Sequence, residues 1–155
     1  MDEGRAIVAD FGFTRIRHEK PRSLTSKALE CLSLRHLPPE RITSVEQNFE
    51  PTVSADIYAL SMTLLELATL DHAFAEYRNP RGAATAAARG VRPEPPSSLG
   101  NMGPRSTARL YSILQSMWTQ EPEQRRRAHL VAGDLKTLAE EAAGSAGIVE
   151  ARRND

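Results

Sequence analysis

Val53-Ser54-Ala55-Asp56-Ile57-Tyr58-Ala59-Leu60-Ser61-Met62-Thr63-Leu64-Leu65-Glu66-Leu67-Ala68-Thr69 is the stretch on which the fold turns. Its apolar side chains at Ile57, Tyr58, Leu60, Met62, Leu64, Leu65 and Leu67 fall on nearly every face of a helix. A helix that is apolar almost all round is normally buried on all sides, so the pattern predicts a central helix from about Val53 to Thr69. Ser61, Thr63 and Glu66 interrupt the run, which is too short and too polar to span a bilayer. Ser54 and Asp56 stand near its start, where free N–H groups and the helix dipole favour a short polar side chain or a carboxylate.

Further helices follow downstream. Gly82–Arg89 is Ala-rich and is closed by Gly90, a residue type that stops helices. Arg92-Pro93-Glu94-Pro95-Pro96 through Gly103-Pro104 reads as a rigid loop. Leu110, Ile113, Leu114, Met117 and Trp118 recur at helical spacing within Thr107–Trp118, as do Leu130, Val131, Leu135 and Leu138 within Arg127–Ala143. Residues 143–155 read as a small, polar, flexible tail. Upstream, Pro38-Pro39 forces extended backbone before a short turn or helix near Glu40–Val45, and residues 13–36 show no periodicity and read as loop. Arg5-Ala6-Ile7-Val8-Ala9 is one short strand. The whole is a mainly α unit of about five helices with a short N-terminal strand.

Composition narrows the function. The 155 residues carry 20 basic and 20 acidic side chains, so there is no charge footprint for nucleic acid or an anionic membrane. Cys31 is the single cysteine, which excludes a disulfide scaffold. Met1-Asp2-Glu3-Gly4 is acidic and precedes no signal-like apolar run. These features lead to the expectation of a cytoplasmic or nuclear protein with protein partners. The four histidines are scattered, without metal-ligand spacing.

Several ordered motifs carry a specific resemblance. Asp2 to Gly12 ends in Asp10-Phe11-Gly12; Ser33-Leu34-Arg35-His36-Leu37-Pro38-Pro39-Glu40 follows; then come the Ser54–Leu67 stretch, Ala73-Phe74, and Arg89-Gly90-Val91-Arg92-Pro93. Last is Met117-Trp118-Thr119-Gln120-Glu121-Pro122-Glu123-Gln124-Arg125. In this order they resemble the large lobe of a protein kinase from its DFG motif onward, over residues 1–142, and within the family they are similar to tyrosine-kinase-like members, including fungal ones. The implied fold is a partial kinase large lobe with a short N-terminal strand or hairpin.

The resemblance also implies roles. Asp10 is the Mg²⁺-binding carboxylate, since a hard cation wants oxygen ligands. Phe11, Gly12, Ser33, Leu34 and Arg35 belong to the activation segment and substrate loop. Asp56 is the anchor of the catalytic-loop backbone, although a plain first-turn carboxylate stays open for it. Glu40 and Arg125 form a structural ion pair; Arg126 stands where the family has a Pro, and Arg127 is a competing neighbour. Ser33 favours Ser/Thr over Tyr specificity; Ser23, Thr25, Ser26 and Ser33 lie in the loop where the family is switched by phosphorylation, and solvated hydroxyls are the preferred reading of them.

Phosphoryl transfer is mostly positioning and charge stabilisation. The Gly-rich loop, the strand Lys with its Glu, and the catalytic-loop Asp and Asn all precede the DFG in the family's order. The 155 residues alone are therefore expected to hold no catalytic residue, to bind no Mg-ATP and to be inactive, as a truncated kinase. The alternative is a non-catalytic, pseudokinase-like interaction module. Truncation is preferred because the central helix keeps Leu60, Leu64 and Leu67 where the family's upstream helices pack. An uncovered apolar strip and self-association follow from that expectation.

Overall fold

Pro39 opens the first helix of the structure, a computed structural model that describes Ile7 and residues 34–43, 51–96 and 102–151, with side chains to residue 143 in the last segment. The helices are α1 (Pro39–Thr43), α2 (Val53–Thr69), α3 (Pro80–Ala88), α4 (Pro104–Met117) and α5 (Ala128–Ala151), with 3-10 turns at Leu34–His36 and Pro122–Gln124. The architecture is mainly helical, and no sheet occurs among the described residues. Apart from Ile7, which is exposed, the expected strand at Arg5–Ala9 lies outside them.

The α2 bounds coincide with the apolar pattern, but its cap does not come from Ser54 or Asp56. Thr52 has extended backbone and its Oγ1 accepts the Ala55 N–H at 3.2 Å. Ser54 lies two positions past the cap, inside the helix, because the geometry needs a non-helical residue just ahead of the first turn; Asp56 sits in the first turn, where a carboxylate was expected. Leu70 ends the helix in the left-handed conformation (φ 57°), its N–H reaching the Glu66 carbonyl at 2.8 Å.

Burial of α2 is one-sided rather than complete. Ile57, Tyr58, Ser61, Met62 and Leu65 are buried, and Leu64 packs half-buried beside them. Val53, Leu60 and Leu67 are exposed at 70 %, 42 % and 68 %. Seven-residue spacing puts these three on one stripe of the helix. The buried side meets Leu110, Ile113, Leu114 and Met117 of α4, and Val131 and Leu138 of α5 extend the core.

Two helices begin earlier than their apolar pattern indicates, each at a proline. Asn79 caps α3 by accepting the Gly82 N–H at 2.6 Å, with Pro80 in the first turn; α4 starts at Pro104 after Gly103. Proline fits a first turn because its missing N–H has no helical partner there. Ala83, Ala84, Ala86 and Ala87 are all buried, so the small side chains of α3 bring its backbone close to the core. Gly90 follows with φ 87°, the conformation glycine adopts most cheaply. The backbone of α5 continues past Ala143 to Ala151, where the pattern had placed a frayed tail. Leu34–His36, expected as loop, forms a 3-10 turn too short to leave a periodic signal.

No helix among the described residues is long and apolar enough to cross a membrane.

Candidate functional site

Pro38 and Pro39 are buried and fix the entry to α1, which presents Glu40 inward from its first turn. Arg125 comes from the other end of the fold, just after the Pro122–Gln124 turn. Its Nη1 donates to Glu40 Oε1 at 2.8 Å and its Nη2 to Oε2 at 2.6 Å. Nη1 also donates to the Ser54 carbonyl at 2.9 Å, and Nε to the Thr119 carbonyl at 3.1 Å. The Arg125 side chain is 1 % exposed and that of Glu40 28 %. A buried guanidinium is tolerable only with its charge paired and its N–H groups occupied, and the two-pronged carboxylate contact provides that. Arg126 instead pairs with Asp134 on α5 (Nη2–Oδ1 3.1 Å), and Arg127 is exposed.

Tyr58 extends this pair into a column. The Arg125 guanidinium lies 5.1 Å from its ring centroid and that of Arg92 lies 5.5 Å away. Arg92 comes from the loop after α3 and donates to the carbonyls of Trp118 (2.6 Å), Ala87 (3.0 Å) and Val91 (2.8 Å) and to Gln120 Oε1 (2.7 Å). Cations over an aromatic ring gain most when desolvated, as both are here in part. The Tyr58 hydroxyl is buried without a hydrogen-bond partner among the described residues. Burial pushes its pKa up to about 12; Arg92 and Arg125 oppose the shift and Glu40 adds to it. Burial also lowers the Arg92 pKa from its ordinary value.

The substrate-loop turn is held separately. Arg35 Nη1 donates to the Ala73 and Phe74 carbonyls at 2.8 and 2.7 Å, and Nη2 donates to the Tyr77 carbonyl at 2.8 Å. Beside it His36 Nε2 lies 3.3 Å from Glu66 Oε2 on α2. Glu66 Oε1 accepts the Ala73 N–H at 2.9 Å and lies 3.7 Å from His72 Nδ1.

Of the residues singled out in the sequence, Glu40 and Arg125 are brought together, Leu34 and Arg35 sit in the turn, and Asp56 is exposed on the first turn of α2. Asp10, Phe11, Gly12 and Ser33 lie outside the described residues. Among the described residues no group of three or more His, Cys, Asp or Glu side chains is placed to hold a metal ion. Sequence reasoning missed Arg92, Tyr58 and Glu66. Arg92 carried a usable signal, an arginine between a glycine turn and a proline with helix-end carbonyls nearby; Tyr58 and Glu66 looked like ordinary members of an apolar helix.

Comparison with curated proteins finds no match for the chain. The family model of the protein tyrosine and serine/threonine kinases matches residues 1–135. That span takes in Glu40, Tyr58, Arg92 and Arg125, and the mainly helical architecture is consistent with part of a kinase large lobe. The chain belongs to the protein tyrosine and serine/threonine kinase family.

Proposed function

We propose that these 155 residues form the substrate-holding part of a protein kinase large lobe, whose intact family activity is ATP-dependent phosphoryl transfer to protein Ser/Thr hydroxyls, in the cytoplasm or nucleus. The observation that carries the reading is the two-pronged Glu40–Arg125 pair, which ties the Pro-Pro-Glu segment to the chain after α4. In this reading the segment before Glu40 is the activation segment of a tyrosine-kinase-like member. Mg-ATP supplies the phosphoryl group when bound, and Asp10 is the residue assigned to its metal. The chain's own described contribution is positional: Arg125 fixes the end of the segment and Arg35 its turn, and orientation of this kind accounts for much of phosphoryl-transfer catalysis.

The polypeptide of these 155 residues does not by itself transfer phosphate. None of its lysines, Lys20, Lys27 and Lys136, precedes Asp10 as the family's phosphate-binding Lys does. Radiolabel transfer from ATP to a generic protein acceptor and calorimetry with Mg-ATP test this. Neither transfer nor saturable binding in the micromolar range is expected; binding abolished by Asp10→Ala would overturn the reading.

A second reading, a non-catalytic interaction module, is separated by the stripe of Val53, Leu60 and Leu67. A module selected to stand alone would carry polar side chains there, whereas a kinase lobe covers the corresponding face with further helices and self-associates when they are lacking. Sequencing the transcript ahead of Met1 decides between them. An in-frame H-x-D-x-x-x-x-N loop is expected; a stop immediately before Met1 would favour the module.

A further inference from the structure

The loop after α2 is built as a receptor for the Leu34–His36 turn. Phe74 adopts a left-handed backbone (φ 56°), uncommon for a bulky residue, while its ring is buried and meets Tyr77 edge-on with centroids 6.1 Å apart. That loop presents the Ala73, Phe74 and Tyr77 carbonyls together to the Arg35 guanidinium. On the other side Glu66 takes the Ala73 N–H and lies against His36 from the same turn. The loop is therefore held between a cationic donor and an anionic acceptor, each of which also touches or belongs to the turn.

We infer that Arg35 is a positioning residue: its guanidinium, inserted among the Ala73, Phe74 and Tyr77 carbonyls, fixes the Leu34–His36 turn to the loop after α2, and Glu66 closes the contact through His36. That the turn serves a substrate rests on the kinase reading; the latch itself does not. Three of the five Arg35 N–H groups are committed to these carbonyls, which orients the guanidinium toward the loop. The receptor consists of backbone carbonyls and one carboxylate. Only a planar fork spans such a set of acceptors; a lysine ammonium is a single point.

Amide hydrogen exchange on the 155-residue chain tests the latch. Leu37 N–H, bonded to the Leu34 carbonyl, and Tyr77 N–H, bonded to the Phe74 carbonyl, report the two halves; Trp118 and Arg126 N–H report the remote core. Arg35→Lys and Arg35→Ala should each speed exchange at Leu37 and Tyr77 by about tenfold or more while Trp118 and Arg126 keep their protection. Millimolar ethylguanidinium should restore the Arg35→Ala protein, and ethylammonium should not. Protection at Leu37 and Tyr77 within about twofold of the parent in Arg35→Lys would overturn the inference, as would an equal loss at all four amides in both variants. Phosphate transfer and nucleotide binding are separate readouts, so failure of the kinase reading leaves this result interpretable.

Discussion

Arg125 grips Glu40 through two contacts of 2.8 and 2.6 Å while donating to the Ser54 and Thr119 carbonyls, so one guanidinium joins α1, the first turn of α2 and the chain after α4. These segments are far apart in the chain, and the guanidinium gives their junction a fixed direction that the apolar contact of Ile42 with the core does not. Directional, charge-assisted bonds therefore set how the segment before α1 enters the fold, and the apolar core sets how the helices stack.

Tyr58→Phe should leave stability at pH 7 within about 0.5 kcal/mol, because the hydroxyl it removes is buried without a partner among the described residues. Alkaline behaviour should differ. Burial raises the native pKa from 10.0 to about 12, so between those values the unfolded chain loses a proton that the native protein keeps. The contribution is complete below pH 10 and declines as pH rises through 12, by about 1.4 kcal/mol per pH unit. Urea denaturation of parent and variant across this range checks it: the parent should lose its parity, and parallel curves would contradict the assignment.

Gly90→Ala isolates a backbone effect. At φ 87° the nearest atom to an added Cβ is Gln120 Oε1 at 4.0 Å, so space is not the obstacle. The left-handed conformation alone should cost about 1–2 kcal/mol, read as a lower denaturation midpoint with unchanged slope. A neutral substitution would mean that the chain after α3 relaxes freely.

Leu60→Lys combined with Leu67→Lys should abolish binding of a hydrophobic dye and any self-association seen by sedimentation, at a stability cost of about 1 kcal/mol, because Leu67 is largely and Leu60 partly solvated. A parent protein that is monomeric and dye-negative would contradict an adhesive stripe.

Legibility in the sequence followed the physical source of each feature. The bounds of α2 were readable because a long apolar run needs no information from elsewhere. Its one-sided burial was expected only through the resemblance, as a strip at Leu60, Leu64 and Leu67; Leu60 and Leu67 are exposed with Val53, whereas Leu64 packs half-buried on the core, because which face is covered depends on what lies across from it. The starts of α3 and α4 fall earlier than expected because the Ala-rich pattern begins only at Gly82 and Pro104 reads as loop, whereas Pro80 and Pro104 each open a helix. Glu40 and Arg125 were named through motif order, which records long-range pairing that spacing cannot. The Arg35 cradle had no such record: its acceptors are carbonyls, which every residue carries, converging through a left-handed Phe74 that its residue type does not announce.

The most direct test of the account is a double-mutant cycle on Glu40 and Arg125, measured by urea denaturation. Glu40→Ala should cost about 3 kcal/mol, since it strands a buried guanidinium, against under about 0.5 kcal/mol for the exposed Glu140→Ala. Combining Glu40→Ala with Arg125→Met should recover about 1–3 kcal/mol relative to the sum of the single changes. Additive losses, or a Glu40→Ala protein as stable as the parent, would contradict the claim that this pair anchors the segment to the lobe.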